Sequence, residues 1–371
     1  MNQKNTFIIG HYGGDNFGDE FMLEALLEHL EKVNIIGKIY IVSKKNSSSD
    51  GKIGYVSPGL LSILKVFFQT KVLILGGGTH FHDDYHKKRL RRHYLYLTKI
   101  LAISLLYRLS LKKVYYLGVG YAPLSSSLIR KYAKVSLMLA NQITVRDKIS
   151  LNNLNALSRR PLPAAKHLTF DLAALHKVVE DVQKKDEALV GISLTSFGFS
   201  SNANQDSLWD NYIIPQIGAI YRDSAISLRI FVFRGGSRES DIPLSEKLQK
   251  HLHEIDPQRV SIYEHTGTTE KFVAPLAQCE YFIATRYHSA VIAYLVGCKM
   301  LIIPYHQKLI DVVDMIDLDK HALVDLKQPE TFSIKFNELL GNDIRYAPRI
   351  SPSKNKALTL DILNDIFDRI V

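Results

Sequence analysis

The feature that most constrains the fold is an alternation of short apolar runs with longer segments of helical periodicity, repeated along most of the chain. The first unit comprises a predicted strand over 6–10, a glycine-rich turn over 11–18 and a helix over 19–32. Strands that alternate with helices form parallel sheets covered by helices on both faces. The sequence therefore predicts an α/β protein built from Rossmann-like units.

The alternation is interrupted between about 158 and 187, where proline-containing and polar segments break the regular pattern. A chain of 371 residues is long enough for two domains with a core each. We predict an N-terminal domain over 1–170, a C-terminal domain over 187–350 and a C-terminal helix over 351–371 that packs back on one of them. The expected architecture is two Rossmann-like domains that face each other across a cleft.

Composition narrows the class of partner. The net charge of +10 and the pI near 9.3 favour anionic partners, such as phosphorylated small molecules or an acidic membrane surface. Nucleic acid is not expected, because the sequence has no known binding module for it. Two cysteines, no signal peptide and no apolar span of about 20 residues predict a reduced, cytoplasmic protein without a transmembrane helix.

A dense basic run over 87–92 directly precedes an apolar helix that is predicted to start at Tyr94. A basic segment beside an apolar helix can rest on the anionic inner surface of the cytoplasmic membrane or hold a lipid pyrophosphate. A solvated basic loop is an equally valid interpretation. The sequence leaves peripheral membrane contact through 87–92 as an expectation.

The stretch 279–308 has the composition of an anion site with acid/base capacity. A short apolar strand ends at Arg286 and His288, just where a helix begins and exposes backbone N–H groups. Thr195, Arg234 and His306 also follow predicted strands, and parallel strands would direct all of these side chains to the same cleft. The alternative is that the arginine and histidine only cap the helix or pair with carboxylates.

Three glycines, 76–78, follow a very apolar strand and are hard to explain by folding alone, because glycine costs conformational entropy. They suggest a bare backbone wall for a ligand. The histidine-rich run that follows resembles a binuclear metal motif, but Tyr85 stands where that motif has its last histidine. No metal is therefore expected. The turn 10–20 lacks the dinucleotide fingerprint and a P-loop lysine, so neither NAD nor ATP is implied.

Together these elements resemble the polysaccharide pyruvyl transferase family. The matching motifs, in order, are Gly13 to Glu20, Gly76 to Gly78 with Asp83, Gly118 Val119 Gly120 with Pro123, Val145 Arg146 Asp147 with Ser150, Gly191 to Leu194, and Arg286 to Ser289 with Gly297 and Tyr305 to Lys308. The resemblance implies a GT-B-like fold. It also implies transfer of the enolpyruvyl group of phosphoenolpyruvate to two sugar hydroxyls, which forms a pyruvate ketal and releases phosphate.

The resemblance implies phosphoenolpyruvate as a co-substrate, with no other cofactor, and a sugar acceptor in a bacterial surface glycan or its lipid-linked precursor. It places phosphoenolpyruvate on the C-terminal domain and the acceptor on the N-terminal one. Two departures stand out. Many relatives have an arginine where Thr195 stands, and Asp-Pro where His306 and Gln307 stand.

Ketal formation assigns roles to single residues. Arg286 is the expected guanidinium for the donor anion, with Arg234 as a replacement for the arginine absent at 195. His288 is the expected general acid, and either His288 or Asp19 the base, although Asp19 is equally suited to cap its helix. The expected substrate contacts are Arg234, Ser289, Lys308, Gly13, Gly14, Gly77, Gly78, Asp83 and Thr195.

Two other functions remain open on the sequence. A GT-B glycosyltransferase that uses a nucleotide sugar would have the same architecture, since fold does not determine function. A non-catalytic glycan-binding protein is the second alternative.

Overall fold

The computed structural model describes residues 4–33, 36–43, 51–82, 87–122, 124, 126–157, 165–180, 185–195, 208–236, 240–266 and 268–369. By internal contacts the chain divides into two units. Unit 1 comprises Met1–Gly14, Asp19–His176 and Asn355–Val371, and unit 2 comprises Asp15–Gly18 and Lys177–Lys354. The short segment 15–18 thus lies with the second unit, and the C-terminal helix lies with the first.

Unit 1 is built on a parallel sheet with the order β3-β2-β1-β4-β6-β7-β8, in which β5 pairs with β6. Its strands are β1 Lys4–Ile9, β2 Ile36–Val42, β3 Ile53–Val56, β4 Val72–Leu75, β5 Gly78–Phe81, β6 Lys113–Tyr121, β7 Gln142–Val145 and β8 Ala165–Leu168. Its helices are α1 Phe17–Val33, α2 Leu60–Gln69, α3 Lys87–Leu109, α4 Ser127–Met138 and α5 Lys148–Ala156.

One face of this sheet packs against α2, α3 and α4. Side chains of alternate sheet residues and of the three helices form a single apolar cluster, which includes Phe7, Leu73, Val66, Leu97 and Ile129. Because apolar residues recur at helical spacing on one side of each helix, that side is buried and the opposite side faces solvent. The cluster therefore fixes which side of each helix is exposed.

Helix α3 begins at Lys87, whereas the sequence predicted a helix from Tyr94. The basic run contains neither glycine nor proline, and Lys and Arg are good helix formers. The basic residues accordingly form the first turns of the helix. The alternative interpretation of a solvated loop over this run was wrong.

Unit 2 has a five-stranded parallel sheet with the order β11-β10-β9-β12-β13. Its strands are β9 Asp186–Ser193, β10 Ser227–Val232, β11 Val260–Glu264, β12 Cys279–Ala284 and β13 Lys299–Ile302. Its helices are α6 Ile214–Asp223, preceded by a π-helical turn over Trp209–Ile213, α7 Ile242–His253, α8 Thr269–Ala277, α9 Tyr287–Leu295, α10 Gln307–Met315 and α11 Phe332–Leu340. The prediction of an α/β protein with two Rossmann-like units is confirmed.

The last helix, α12 Pro352–Asp368, packs on unit 1. The hydroxyl of Thr359 accepts a hydrogen bond from the backbone N–H of Phe170, and the ring of Phe367 lies 5.6 Å from that of His29 on α1. In the described ranges, no helix is both long and apolar enough to cross a bilayer.

Burial of His29 predicts an acid-sensitive stability. Its Nε2 has no hydrogen-bond partner among the described residues, and burial, with a smaller effect of Lys32, lowers the pKa of His29 to about 4. In the unfolded chain His29 binds a proton near pH 6.5, whereas in the folded chain it does so only near pH 4. The free energy of unfolding therefore falls as the pH drops from about 6.5 to about 4. Between pH 7 and pH 4.5, we expect the free energy of unfolding of His29→Leu to fall by about 2–3 kcal/mol less than that of the wild type, as measured by urea unfolding.

The matched control is His253→Leu, since His253 is exposed at the end of α7. This variant should keep the acid dependence of the wild type. Equal pH profiles for His29→Leu and the wild type would show that His29 is not responsible.

Candidate functional site

In unit 2, four residues that the sequence singled out follow four adjacent parallel strands. Thr195 follows β9, Arg234 follows β10, Arg286 follows β12 and His306 follows β13. Because these strands are parallel, the four residues lie at the carboxyl edge of the same sheet, where ligands bind in open α/β folds.

Arg286 makes a bidentate ion pair with Asp241, the residue before α7. Its Nε donates to Oδ2 at 2.6 Å, and its Nη2 donates to Oδ1. The Asp241 side chain is fully buried, and its Oδ2 also accepts the backbone N–H of Arg234 at 3.1 Å. Burial raises the pKa of the Asp241 carboxyl, and the charge and hydrogen bonds of Arg286 and the backbone N–H of Arg234 oppose part of that rise. The pair fixes the plane of the guanidinium.

Asp241 was not among the predicted site residues. The available signal is local, because an aspartate two residues before Pro243 is typical of a helix start. That signal predicts a cap and does not predict Arg286 as partner. The sequence left open whether Arg286 pairs with a carboxylate, and the structure shows that it does. This pairing leaves room for a further role of the arginine.

Ser289 lies in a hydrogen-bond network that holds the turn from β12 into α9. Its hydroxyl accepts the backbone N–H of Arg286, donates to the carbonyl of Arg286, and lies 2.7 Å from the hydroxyl of Ser193. The backbone N–H of Thr285 donates to Ser193 Oγ at 3.0 Å. The network fixes the position of Arg286 and His288 relative to the sheet, and substrate binding by Ser289 stays a prediction.

His288, the second residue of α9, is half-buried and packs against the backbone of Gly18. A Cβ on Gly18 would overlap the imidazole, with Nδ1 as the nearest atom. Gly18 therefore provides the space that the imidazole occupies. The group that approaches Gly18 most closely is thus a side chain of the protein itself.

The segment 15–18 is held in unit 2 by backbone and aromatic contacts. Phe17 N donates to the carbonyl of Phe233 at 2.9 Å, and Gly235 N donates to the carbonyl of Asp15 at 3.2 Å. The Phe17 ring lies 4.3 Å from that of Phe272 and 5.7 Å from that of Phe233. These contacts place Gly18 beside His288.

Gly18→Ala is expected to destabilise the protein by about 1–3 kcal/mol, the usual cost of overpacking, because the imidazole of His288 must move. Gly14→Ala is the matched control, since a Cβ at Gly14 would lie 3.5 Å from its nearest neighbour, the carbonyl of His11. We expect this control to change stability by less than about 1 kcal/mol. Urea unfolding measures both, and equal effects would contradict the close packing of Gly18 on His288.

In unit 1, the structure explains all three glycines at 76–78 by folding. A Cβ on Gly76 would overlap the Tyr12 hydroxyl, and one on Gly77 would lie 2.7 Å from Met22 Sδ. Gly78 has a φ of +115°, a backbone conformation that residues other than glycine rarely adopt. The interpretation that folding alone hardly explains these glycines was wrong. Ligand binding by Gly77 and Gly78 stays a prediction.

Around Gly78 the structure brings Asp19 together with two histidines. A Cβ on Gly78 would lie 3.6 Å from His11, 3.8 Å from His80 and 3.9 Å from Asp19 Oδ1. His11 stacks on His80 with ring centroids 4.8 Å apart and on Tyr96 at 5.1 Å. Sequence reasoning missed His11 and Tyr96 as site residues, although His11 stands inside the glycine-rich turn. This cluster is the candidate acceptor side of unit 1.

Both ring nitrogens of His80 are already hydrogen-bonded. Nδ1 lies 2.5 Å from the Tyr96 hydroxyl and Nε2 lies 2.8 Å from the carbonyl of Gly76. Burial lowers the pKa of His80 to about 3, with further effects of His11 and Arg146, so its imidazole is neutral at physiological pH. Because both ring nitrogens already have hydrogen-bond partners, His80 is a poor candidate for a metal ligand.

Three other side chains of unit 1 have the residue types and spacing to hold a metal ion. His176 Nε2 lies 3.8 Å from a carboxylate oxygen of Glu24 and 3.8 Å from one of Glu28. These separations are longer than a hydrogen bond and somewhat longer than those in a tetrahedral zinc site. Among the described residues this is the one such group.

The remaining predicted residues lie as follows. Gly13 has φ +72°, and its N–H donates to Glu20 Oε1 at 2.6 Å. Thr195 is buried, and its carbonyl accepts the indole N–H of Trp209. The backbone N–H of Lys308 donates to His306 Nδ1, so His306 caps α10. Asp83 lies outside the described residues.

Solved structures share the fold. The UDP-GlcNAc 2-epimerase of Neisseria meningitidis bound to UDP-GlcNAc has a TM-score of 0.62 at 13% identity, over 99% of this chain and 100% of that one. The Methanocaldococcus jannaschii enzyme in complex with UDP-GlcNAc and UDP has a TM-score of 0.55 at 13% identity, over 97% and 99%. Anabaena HepE in complex with UDP and glucose has a TM-score of 0.55 at 11% identity, over 99% of each chain. At such low identity the likeness shows a GT-B-like fold alone.

Among curated proteins, none matches this chain in sequence. A family model described as polysaccharide pyruvyl transferase matches residues 16–307. The match includes the segment 16–18, the turn at Asp241 and the start of α9 with Arg286 and His288. Since it spans most of the sequence, the chain belongs to the polysaccharide pyruvyl transferase family.

Proposed function

We propose that this transferase moves the enolpyruvyl group of phosphoenolpyruvate onto two hydroxyls of a sugar, in a bacterial surface glycan or its lipid-linked precursor, in the cytoplasm. The observation that carries the proposal is the arrangement at the start of α9. There three consecutive residues, 286–288, supply an oriented guanidinium, the N-terminal backbone of a helix and a half-buried imidazole.

Phosphoenolpyruvate carries a carboxylate and a phosphate, so its site needs fixed positive charge. Arg286 is oriented by Asp241, and a bidentate guanidinium suits either anion. Because Asp241 offsets much of the charge of Arg286, Arg234 and the N-terminus of α9 are proposed to supply the rest. Lys308, in the first turn of α10, is a further candidate at the same sheet edge.

The chemistry assigns a proton transfer to His288. Protonation of the methylene carbon makes the adjacent carbon electrophilic, and the first sugar hydroxyl attacks it. The carbon–oxygen bond to phosphate then breaks, and the second hydroxyl closes the ketal. Of the two hydroxyl protons, one balances the proton gained by the new methyl group and the other leaves with phosphate. Histidine is the side chain that ordinarily changes charge near neutral pH, which suits the donation, and Asp19 or His288 is the proposed base.

The test separates this proposal from the two alternatives. We expect phosphoenolpyruvate to raise the thermal stability of the purified protein and UDP-GlcNAc not to, because a ligand that binds only the folded state stabilises it. Glycan from cells that lack the protein should lose about 70 Da per modified repeat, the mass that ketal formation adds.

Stabilisation by a nucleotide sugar alone would favour the glycosyltransferase. Unchanged glycan binding by a variant with both Arg286→Ala and His288→Ala, without phosphate release by the wild type, would favour the non-catalytic protein.

A further inference from the structure

The exposed side of α2, α3 and α4 combines apolar and basic side chains, and we call it the cationic helical face. Of the fourteen large apolar side chains that the described residues expose, ten lie between Leu60 and Met138. Exposed apolar residues scattered singly are ordinary, whereas a contiguous group marks an interaction surface. The concentration on one side of unit 1 therefore requires an explanation.

Helix α3 carries the longest exposed stripe. Arg91, Leu95, Lys99, Leu105 and Leu109 are exposed and recur at spacings that bring them to one side of the helix. The opposite side, which includes Leu97 and Tyr107, is buried against the sheet. Leu95 and Leu109 are exposed to 63% and 74%, so nothing in unit 1 covers them in the described structure.

The two flanking helices repeat the pattern. On α2 the exposed stripe is Leu61, Lys65 and Phe68, and on α4 it is Leu128, Lys131, Val135 and Met138. The three helices lie side by side. The Phe67 ring of α2 packs edge-on against Tyr107 of α3 at 5.2 Å, and the Tyr94 hydroxyl of α3 lies 3.1 Å from Ser126 Oγ at the start of α4. Because the three helices cover the same face of the sheet, their exposed stripes lie on the same side of unit 1.

The charge of this surface has a single sign. The three helices contain eleven Lys and Arg residues and no Asp or Glu, and the sequence has no acidic residue from 85 to 146. A second copy of the same face would meet it with like charge, which disfavours self-association. An anionic partner with an apolar interior matches both properties of the face.

We propose that the cationic helical face binds to an anionic lipid bilayer, with α2, α3 and α4 lying in the plane of the interface. Leucine, phenylalanine and methionine side chains would enter the acyl boundary, while lysine and arginine extend to the phosphate headgroups. The expectation from the sequence was contact through the basic run 87–92, which lies beside an apolar helix. The structure extends the surface to three helices, and the inference does not depend on the reaction catalysed.

Flotation of the purified full-length chain with vesicles tests the proposal. We expect at least about tenfold stronger binding to phosphatidylcholine vesicles that contain phosphatidylglycerol than to vesicles of phosphatidylcholine alone. The reason is that each interfacial Lys or Arg increases the binding constant for an anionic surface about fivefold. Added salt should weaken the binding, because screening shortens the range of the attraction.

Two pairs of variants separate the apolar and the charged contributions. Leu105→Glu with Leu109→Glu is expected to reduce binding at least about tenfold, whereas Ile334→Glu with Ile344→Glu, at exposed positions of unit 2, should leave it unchanged. Arg91→Glu with Lys99→Glu should reduce binding by a similar factor. Its control, Lys271→Glu with Lys327→Glu, changes the net charge equally on unit 2.

Equal binding to neutral and anionic vesicles, or equal losses in the face and control variants, would overturn the proposal. So would a dimer of the wild type that Leu105→Glu with Leu109→Glu converts to a monomer in sedimentation, because the occupant would then be a second copy. Cooperative thermal unfolding of each variant verifies that it is folded, and the salt dependence of the wild type tests the proposal without any variant.

Discussion

His288→Ala is expected to slow ketal formation by about 10²- to 10⁴-fold, the usual contribution of a positioned general acid. His288 lies two residues after the oriented Arg286, and its imidazole is held against Gly18. Its deletion therefore removes a proton donor from a fixed position. Phosphate release from phosphoenolpyruvate in the presence of acceptor glycan measures the rate. Thermal stabilisation by phosphoenolpyruvate, measured alongside, should persist, because the guanidinium and its partner remain.

His253→Ala is the matched control, because this histidine is exposed at the end of α7 and should have no effect on the rate. Added imidazole should restore part of the rate of His288→Ala, since the deletion leaves space beside Gly18. A near-normal rate for His288→Ala, with phosphoenolpyruvate bound, would remove this residue from the mechanism while leaving the family assignment intact.

Asp241→Ala is expected to lower the free energy of unfolding by about 3–5 kcal/mol, because it leaves the charge of Arg286 without its partner in a largely buried position. The backbone N–H of Arg234 loses its acceptor in the same variant. Turnover should fall as well, since the guanidinium is no longer fixed in one plane. Urea unfolding at neutral pH measures the stability.

The matched control is Asp210→Ala, which breaks an exposed ion pair with Lys247 and should cost less than about 1 kcal/mol. Removal of both partners by Asp241→Leu with Arg286→Met should recover most of the stability, because the penalty comes from the unpaired charge. This double variant should remain inactive. Comparable losses for Asp241→Ala and Asp210→Ala would show that the Asp241–Arg286 pair is not a stabilising feature.

Much of the site in unit 2 was predictable because its signals are local. The apolar runs predict strands, and residues that directly follow parallel strands lie at one edge of the sheet. The sequence identifies Thr195, Arg234, Arg286 and His306 in this way. The same logic failed at 76–78, because the chain does not leave the sheet where β4 ends at Leu75. The chain continues as β5 along the same neighbour, β6, and a pairing between strands is not encoded in either strand alone.

Patterns within short windows, together with their order along the chain, are sufficient to establish the α/β class, the two Rossmann-like units and the family. The packing of distant segments, in contrast, makes Asp241, 45 residues before Arg286, the partner of that guanidinium and makes Gly18 the residue that leaves room for His288. It also places the stripes of three helices on the same side of unit 1. The physical reason is the same in each case: contacts between residues distant in the chain depend on how the strands and helices pack, and periodicity specifies only which side of each element is buried.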